Sequence, residues 1–141
     1  MFLLTNATKL HILLDMVFRS TPARRAISDF LEKSLSPVDA EQIIEFLRSK
    51  RLKTNKATVY RNLENLYRNG FLERLEFGEG KFRYELKKNH HHHLICTDCG
   101  RVEEVSGEYL LSLEDKIRRE NGFLIKNHSL EFFGLCKDCQ K

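Results

Sequence analysis

Hydrophobic positions recur every three to four residues along the first half of the chain and tend to alternate beyond Gly70, so helices are expected first and strands afterwards. Lys9 to Phe18 carries Leu10, Leu13, Leu14, Val17 and Phe18 at helical spacing, and Pro22 stands where a second helix starts. That second helix, Pro22 to Lys33, offers Ile27, Phe30 and Leu31 to a core. Ser36-Pro37 opens a third, Val38 to Ser49, with Ala40, Ile43, Ile44 and Leu47 on one face. Asn55 is an N-cap for a fourth helix running to Asn69, and Gly70 is its C′ stop. Phe71 to Phe77 and Lys81 to Leu86 then read as two strands joined by Gly78-Glu79-Gly80.

Helices followed by a hairpin describe a winged helix-turn-helix, in which the helix from Asn55 to Asn69 lies in the major groove of DNA. Lys87-Lys88-Asn89 is a polar hinge. Beyond it, His92 to Thr97 and Arg101 to Val105 read as strands, Tyr109 to Glu120 as an amphipathic helix and Phe123 to Phe133 as a longer alternating strand. The expected fold class is α+β: a winged-helix DNA-binding domain over residues 1–86, a hinge over 87–89 and a small α/β dimerisation domain with structural zinc over 90–141. So small a domain with one helix needs more than its own core. Metal and a shared sheet between protomers, using Leu110, Leu113, Ile117, Phe123, Ile125 and Phe133, are the expected remedies.

Charge divides the same way. The 141 residues carry a net +4, but residues 1–88 hold 17 Lys+Arg against 11 Asp+Glu, whereas residues 89–141 hold 7 against 9. The densest basic run, Arg48, Lys50, Arg51, Lys53 and Lys56, leads into Thr58-Val59-Tyr60-Arg61, which puts Lys56, Thr58, Tyr60 and Arg61 at the DNA. No stretch reaches the ~18 apolar residues of a membrane span. Met1 to Thr5 has no secretory-signal features, so a cytoplasmic protein that makes no use of a membrane is expected.

Candidate chemistry concentrates in the second half. Cys96 with Cys99 and Cys136 with Cys139 form two C-x2-C pairs separated by 36 residues, the ligand set of a closed tetrahedral zinc site. Thr97, Asp98 and Gly100 around the first pair and Lys137 and Asp138 in the second are turn residues, unlike a thioredoxin-type motif. Two disulfides need an oxidising compartment. Four thiolates also suit a single iron or an iron–sulfur cluster, which colour distinguishes from zinc. Just upstream, His90, His91, His92 and His93 run into Leu94-Ile95-Cys96. In a strand His91 and His93 face one way and His90 and His92 the other, so one run can feed two metal sites.

Three segments together resemble the ferric uptake regulator (Fur) family: Ala57-Thr58-Val59-Tyr60-Arg61-Asn62-Leu63, the stretch from His90 to Gly100, and Asn127-His128-Ser129-Leu130 on to Cys139. The resemblance covers about Arg19 to Cys139. It implies a dimeric winged-helix repressor whose DNA affinity is switched by a divalent metal. On this resemblance the four cysteines are the structural zinc ligands, and Glu85, His91, His93 and Glu104 form a regulatory site for Fe2+ or another divalent metal such as Zn2+ or Mn2+. Arg19 matches a minor-groove contact, and Tyr60 and Arg61 match recognition-helix contacts.

Two positions depart from the pattern. The family's regulatory site usually takes a further histidine from the DNA-binding domain, where this chain has Pro37. His90, His92 and His128 match an additional site, but its usual glutamate position is Leu111, and Glu108, one helical turn earlier, is the expected substitute. The implied partner is an AT-rich, pseudo-palindromic operator bound by a homodimer, with tetramers left open. Iron sensing for control of uptake genes ranks first, ahead of zinc and of manganese or peroxide responses. A zinc-dependent enzyme is the remote alternative, since no H-E-x-x-H or deaminase-type motif is present.

Overall fold

The computed structural model describes residues 21–141, so the expected helix from Lys9 to Phe18 lies outside the described residues. The chain divides into two compact units, residues 1–87 and 88–141.

In the first unit, helices α1 (Pro22–Lys33), α2 (Ala40–Ser49) and α3 (Lys56–Arg68) pack around a three-stranded antiparallel sheet. Its strands are β1 (Val38–Asp39), β2 (Leu72–Leu75) and β3 (Arg83–Leu86), in the order β1-β3-β2. Ile27 and Leu31 from α1, Ile43 and Leu47 from α2, and Val59, Leu63 and Leu66 from α3 are buried together with Leu72 and Tyr84. Phe30 and Phe46 stack over this core, 4.5 Å between centroids. Truncating a fully buried Leu63 to Ala costs about 2–5 kcal/mol by the usual cavity and transfer terms.

The third helix was expected from Val38, but Val38 and Asp39 form a strand instead, paired with Tyr84 and Arg83. Asp39 explains the change. Its carboxylate accepts the Gln42 N–H at 2.8 Å while the Gln42 side chain accepts the Asp39 N–H at 2.9 Å, a capping box that starts α2 at Ala40. The same carboxylate accepts Lys81 Nζ at 2.5 Å, so one buried acid joins helix start to hairpin. The hairpin strands are shorter than expected, four residues each.

The second unit is built on a sheet of order β5-β4-β6. The central strand β4 (His91–Cys96) pairs antiparallel with β5 (Val102–Ser106) and parallel with β6 (Glu131–Gly134). A 3-10 turn (Gly107–Leu110) leads into α4 (Leu111–Asn121), which stops at Gly122 with φ 68°. The long strand expected over Phe123 to Phe133 is confined to β6, because residues 123–130 have no strand neighbour in their own unit. Few apolar side chains are buried here: Ile95, Cys96 and Val102. Leu111, Leu113, Phe123, Leu124, Phe132, Phe133 and Leu135 are exposed, and α4 buries no residue. The unit's own core is therefore too thin to account for its fold.

Burial raises the Asp39 pKa, but the hydrogen bonds from Lys81 and the Gln42 N–H, with the Lys81 and Arg83 charges, more than offset it, so the net shift is downward. A lowered folded-state pKa adds stability above the unfolded value near 4 and loses it as pH falls through the folded value. Asp39→Asn keeps the cap but removes the charge. It should cost about 0.5–1 kcal/mol at neutral pH. The gap from wild type in chemical unfolding should close below about pH 4; a gap unchanged with pH would contradict this account.

Candidate metal centres and nucleic-acid interface

Cys96 ends β4, Cys99 closes the turn after it, and Cys136 and Cys139 form a second turn after β6. Parallel pairing of β4 with β6 sets Cys96 opposite Gly134, and the Thr97 N–H continues the pairing to the Gly134 carbonyl at 2.8 Å. This brings the two knuckles together. The Cys136 N–H donates to Cys96 Sγ at 3.3 Å, and Cys99 Sγ lies 3.7 Å from Cys136 Sγ. Tetrahedral zinc with Zn–S near 2.3 Å sets sulfurs about 3.8 Å apart, so the donors and their spacing fit that ion. The Cys136 and Cys99 N–H groups hold the Cys96 thiol down to about 6. Asp98 and the Cys136 thiol push Cys139 upward. One thiolate forms readily while another is opposed, a conflict that a bound dication removes.

Further back along β4 the alternation separates the histidines. The rings of His91 and His93 meet edge to face, 4.8 Å between centroids, and Glu104 is the residue directly opposite His93 on β5. His91 Nδ1 lies 2.8 Å from the Asn89 carbonyl, which leaves Nε2 for a metal. Glu104 is ion-paired with Lys88. Glu85 belongs to the other unit, where it is buried on β3 opposite Glu73. Pro37 is fully buried in that unit and offers no donor atom.

His90 and His92 converge with His128 instead. His128 Nε2 lies 2.8 Å from His90 Nε2 and 3.2 Å from His92 Nε2, near the ~3.3 Å separation of imidazoles on a tetrahedral divalent ion. Behind them, His128 Nδ1 meets the Glu114 carboxylate. That orients the ring from outside, as a carboxylate does behind a metal-bound histidine. Burial, then the neighbouring His90 and His128, lower the His92 pKa against a hydrogen bond with the Leu130 backbone, which favours the neutral, metal-binding ring.

The helix expected in the major groove is α3. Asn55 Oδ1 accepts the Thr58 N–H and hydroxyl, both at 2.8 Å, and no acidic residue occupies the first turn, so the positive end of the helix is open to phosphate. Val59, Asn62, Leu63 and Leu66 face inward. Lys56, Tyr60 and Arg61 are exposed. Thr58 differs from expectation in that its hydroxyl is engaged by the cap, and Lys56 is paired with Glu41 at 3.0 Å. Asn62 Oδ1 accepts Arg24 Nε at 3.0 Å, tying α3 to α1. Periodicity alone had not distinguished this inward asparagine.

Residues 15–133 match the sequence model of the ferric uptake regulator family. The chain belongs to that family. A ferric uptake regulation protein of Neisseria gonorrhoeae is 38% identical over 128 residues, covering 89% of each chain. That of Bacillus subtilis is 36% identical over 127 residues, 86% of this chain and 85% of its own. The ferric uptake regulator of Helicobacter pylori, whose structure reveals three functional metal-binding sites, superposes with a TM-score of 0.87 at 26% identity. The match covers 100% of this chain and 98% of that one.

Among the residues that likeness to the family pointed to, Arg19 lies outside the described residues. Glu108, expected beside His90, His92 and His128, is not in that group; it sits in the 3-10 turn, its N–H on Ser106 Oγ. Glu114 is the carboxylate found there. The helix begins at Leu111, and Glu114 in its first turn reaches the outer nitrogen of His128.

The turn before α4 is held by close packing. A Cβ at Gly107 would lie 2.5 Å from His90 Cδ2 and 2.9 Å from the His90 carbonyl oxygen. Because one contact is with backbone, no side-chain rotation relieves it. Gly107→Ala should therefore displace His90 and cost about 1–3 kcal/mol. In ring-selective NMR spectra the His90 and His128 signals should move while those of His91 and His93 stay; unmoved His90 signals would show that the turn accommodates the methyl group.

Proposed function

We propose that this metal-responsive transcriptional repressor of the ferric uptake regulator family senses Fe(II) and controls iron-uptake genes. It acts in the cytoplasm as a homodimer on an AT-rich, pseudo-palindromic operator. Zinc held by Cys96, Cys99, Cys136 and Cys139 is its permanent metal. The sensed ion binds Glu85, His91, His93 and Glu104, and a further ion binds His90, His92 and His128 with Glu114 behind them. Arg19, Lys56, Tyr60 and Arg61 contact DNA, with Thr58 holding the start of α3. The relatives are transcription regulators, and no catalytic role is assigned.

One observation carries this reading: the soft thiolates are gathered at one end of β4, while His91, His93 and Glu104 share a separate face. Thiolates hold zinc tightly, whereas an imidazole and carboxylate set suits Fe(II) or Mn(II) and allows exchange. A metal bound more tightly in the DNA-competent state shifts the population toward it, and DNA then tightens metal binding by the same factor. Zinc as the sensed ion is the second reading. Pro37, buried and without a donor, favours it by reducing the set to four ligands, the number zinc prefers.

Gel shifts on an AT-rich duplex with chelator-treated protein, then with Fe(II), Mn(II) or Zn(II) added singly, test the switch. Binding is expected only with metal, and with Fe(II) at the lowest free concentration; equal binding with and without metal would sink the model. His91→Ala with His93→Ala should abolish the metal response and leave a zinc-containing dimer.

Lys88 offers a finer test. It neutralises Glu104 when no metal is bound, and a cation must leave that carboxylate before another arrives. Lys88→Met should lower the metal concentration for half-maximal DNA binding by up to about fivefold, as expected for an exposed ion pair. An unchanged titration midpoint would mean that Lys88 does not compete.

A further inference from the structure

Two helices of the first unit end in the same hydrogen-bonding pattern with different residues at the critical position. After α3, the Gly70 N–H donates to the Tyr67 carbonyl and the Phe71 N–H to the Leu66 carbonyl, both at 3.0 Å, with Gly70 at φ 77°. After α2, the Arg51 N–H donates to the Arg48 carbonyl at 2.9 Å and the Leu52 N–H to the Leu47 carbonyl at 3.0 Å, with Arg51 at φ 56°. Both are Schellman ends, whose C′ residue takes the left-handed conformation. Glycine adopts it freely, but an L side chain there crowds the following carbonyl. Arg51 is the sole non-glycine residue with positive φ among the described residues.

Among the described residues the two capping hydrogen bonds offset part of that strain, and no side-chain interaction of Arg51 adds to them. The Arg51 side chain is exposed and has no hydrogen bond or ion pair among the described residues. Three basic neighbours differ, while exposed Lys53 is uncommitted like Arg51: Arg48 pairs with Glu45 at 2.6 Å, Lys50 lies 5.6 Å from the Phe46 ring centroid, and Lys56 pairs with Glu41. Arg51 therefore presents an uncommitted guanidinium in the turn between α2 and α3, just before the helix start that carries no acid. A cation held at a steric cost, and idle in the protein alone, has its use in a complex.

We propose that Arg51 is a DNA-backbone contact, its guanidinium taking a phosphate oxygen beside the point where α3 enters the groove. The left-handed arginine is retained for that contact at the expense of stability. This rests on the DNA-binding reading above. The contact is sequence-independent, since a phosphate oxygen carries no base information, and it suits a planar, permanently charged fork.

The experiment uses full-length, metal-loaded protein, an AT-rich duplex and a random-sequence duplex, and the variants Arg51→Gly and Arg51→Lys. Arg51→Gly should raise the thermal midpoint by about 3 °C through relief of strain. It should also weaken binding to both duplexes about tenfold and reduce the slope of log affinity against log salt by about 0.9 per protomer. Arg51→Lys keeps the strain and the charge, so its midpoint and most of the slope should stay at wild-type values. Arg51→Gly that gains stability with affinity and salt slope unchanged would overturn the proposal. So would lost affinity without gained stability, which would mean that the arginine costs the fold nothing. Wild-type protein that binds neither duplex would overturn the DNA-binding reading itself and this proposal with it, an outcome that the variants cannot mimic.

Discussion

The register of β4 is the constraint on which the second unit depends. Successive side chains of a strand point to opposite faces, so a slip of one residue would exchange the two pairs of histidines and turn Cys96 away from the other cysteines. The strand is held on both edges. β5 sets Glu104 opposite His93, and β6 sets Gly134 opposite Cys96, one register fixing the histidine faces and the other closing the thiolate cluster. Because Ile95, Cys96 and Val102 are the buried apolar side chains of this unit, packing alone supplies little of that registration. Metal at the cysteines would tie the turn from Cys136 to Cys139 to the end of β4 and make a slip incompatible with ligation.

In the first unit the corresponding constraint is Asp39. A single carboxylate caps α2, and its ion pair with Lys81 joins the helix start to the hairpin, while its backbone extends the sheet by one short strand. Helix α3 is fixed independently, by Asn55 at its start and by Arg24 on the inward Asn62. The exposed side of α3 is then free to carry Tyr60 and Arg61, residues with no part in the core.

Much of this was legible in the sequence, and what was not has identifiable causes. Helical periodicity located α1, α2 and α3 because their apolar faces are continuous, and Pro22, Asn55 and Gly70 marked boundaries through backbone chemistry. Val38 and Asp39 misled because they continue the helical spacing of α2; their strand pairing depends on Tyr84 and Arg83, some forty-five residues away. The span of β6 was overestimated because alternation reports which faces a segment prefers, not whether a neighbour exists to pair with it. Glu108 was expected beside His90, His92 and His128 as the acid one turn before Leu111, on a helix read from Tyr109. Gly107, packed on His90, instead opens a 3-10 turn, and the helix starts at Leu111. The cysteine spacing was the most legible feature, since few chemistries use two identical pairs of thiols.

Three donor sets in so small a unit raise the question of how different metals are kept apart. Distance alone does not do it, because all three sets draw on one six-residue strand or the residue just before it. Donor softness does. Four thiolates favour zinc over iron or manganese by the polarisability of sulfur, whereas His91, His93 and Glu104 offer harder donors with faster exchange. The three imidazoles of His90, His92 and His128 lie between these extremes, and Glu114 orients the His128 ring without entering the set. A permanent ion and a sensed ion can then share a strand without exchanging places, provided the thiolate site fills first. Filling it first would also reinforce the strand that carries the histidines, because ligation would lock the register that β5 and β6 set by pairing.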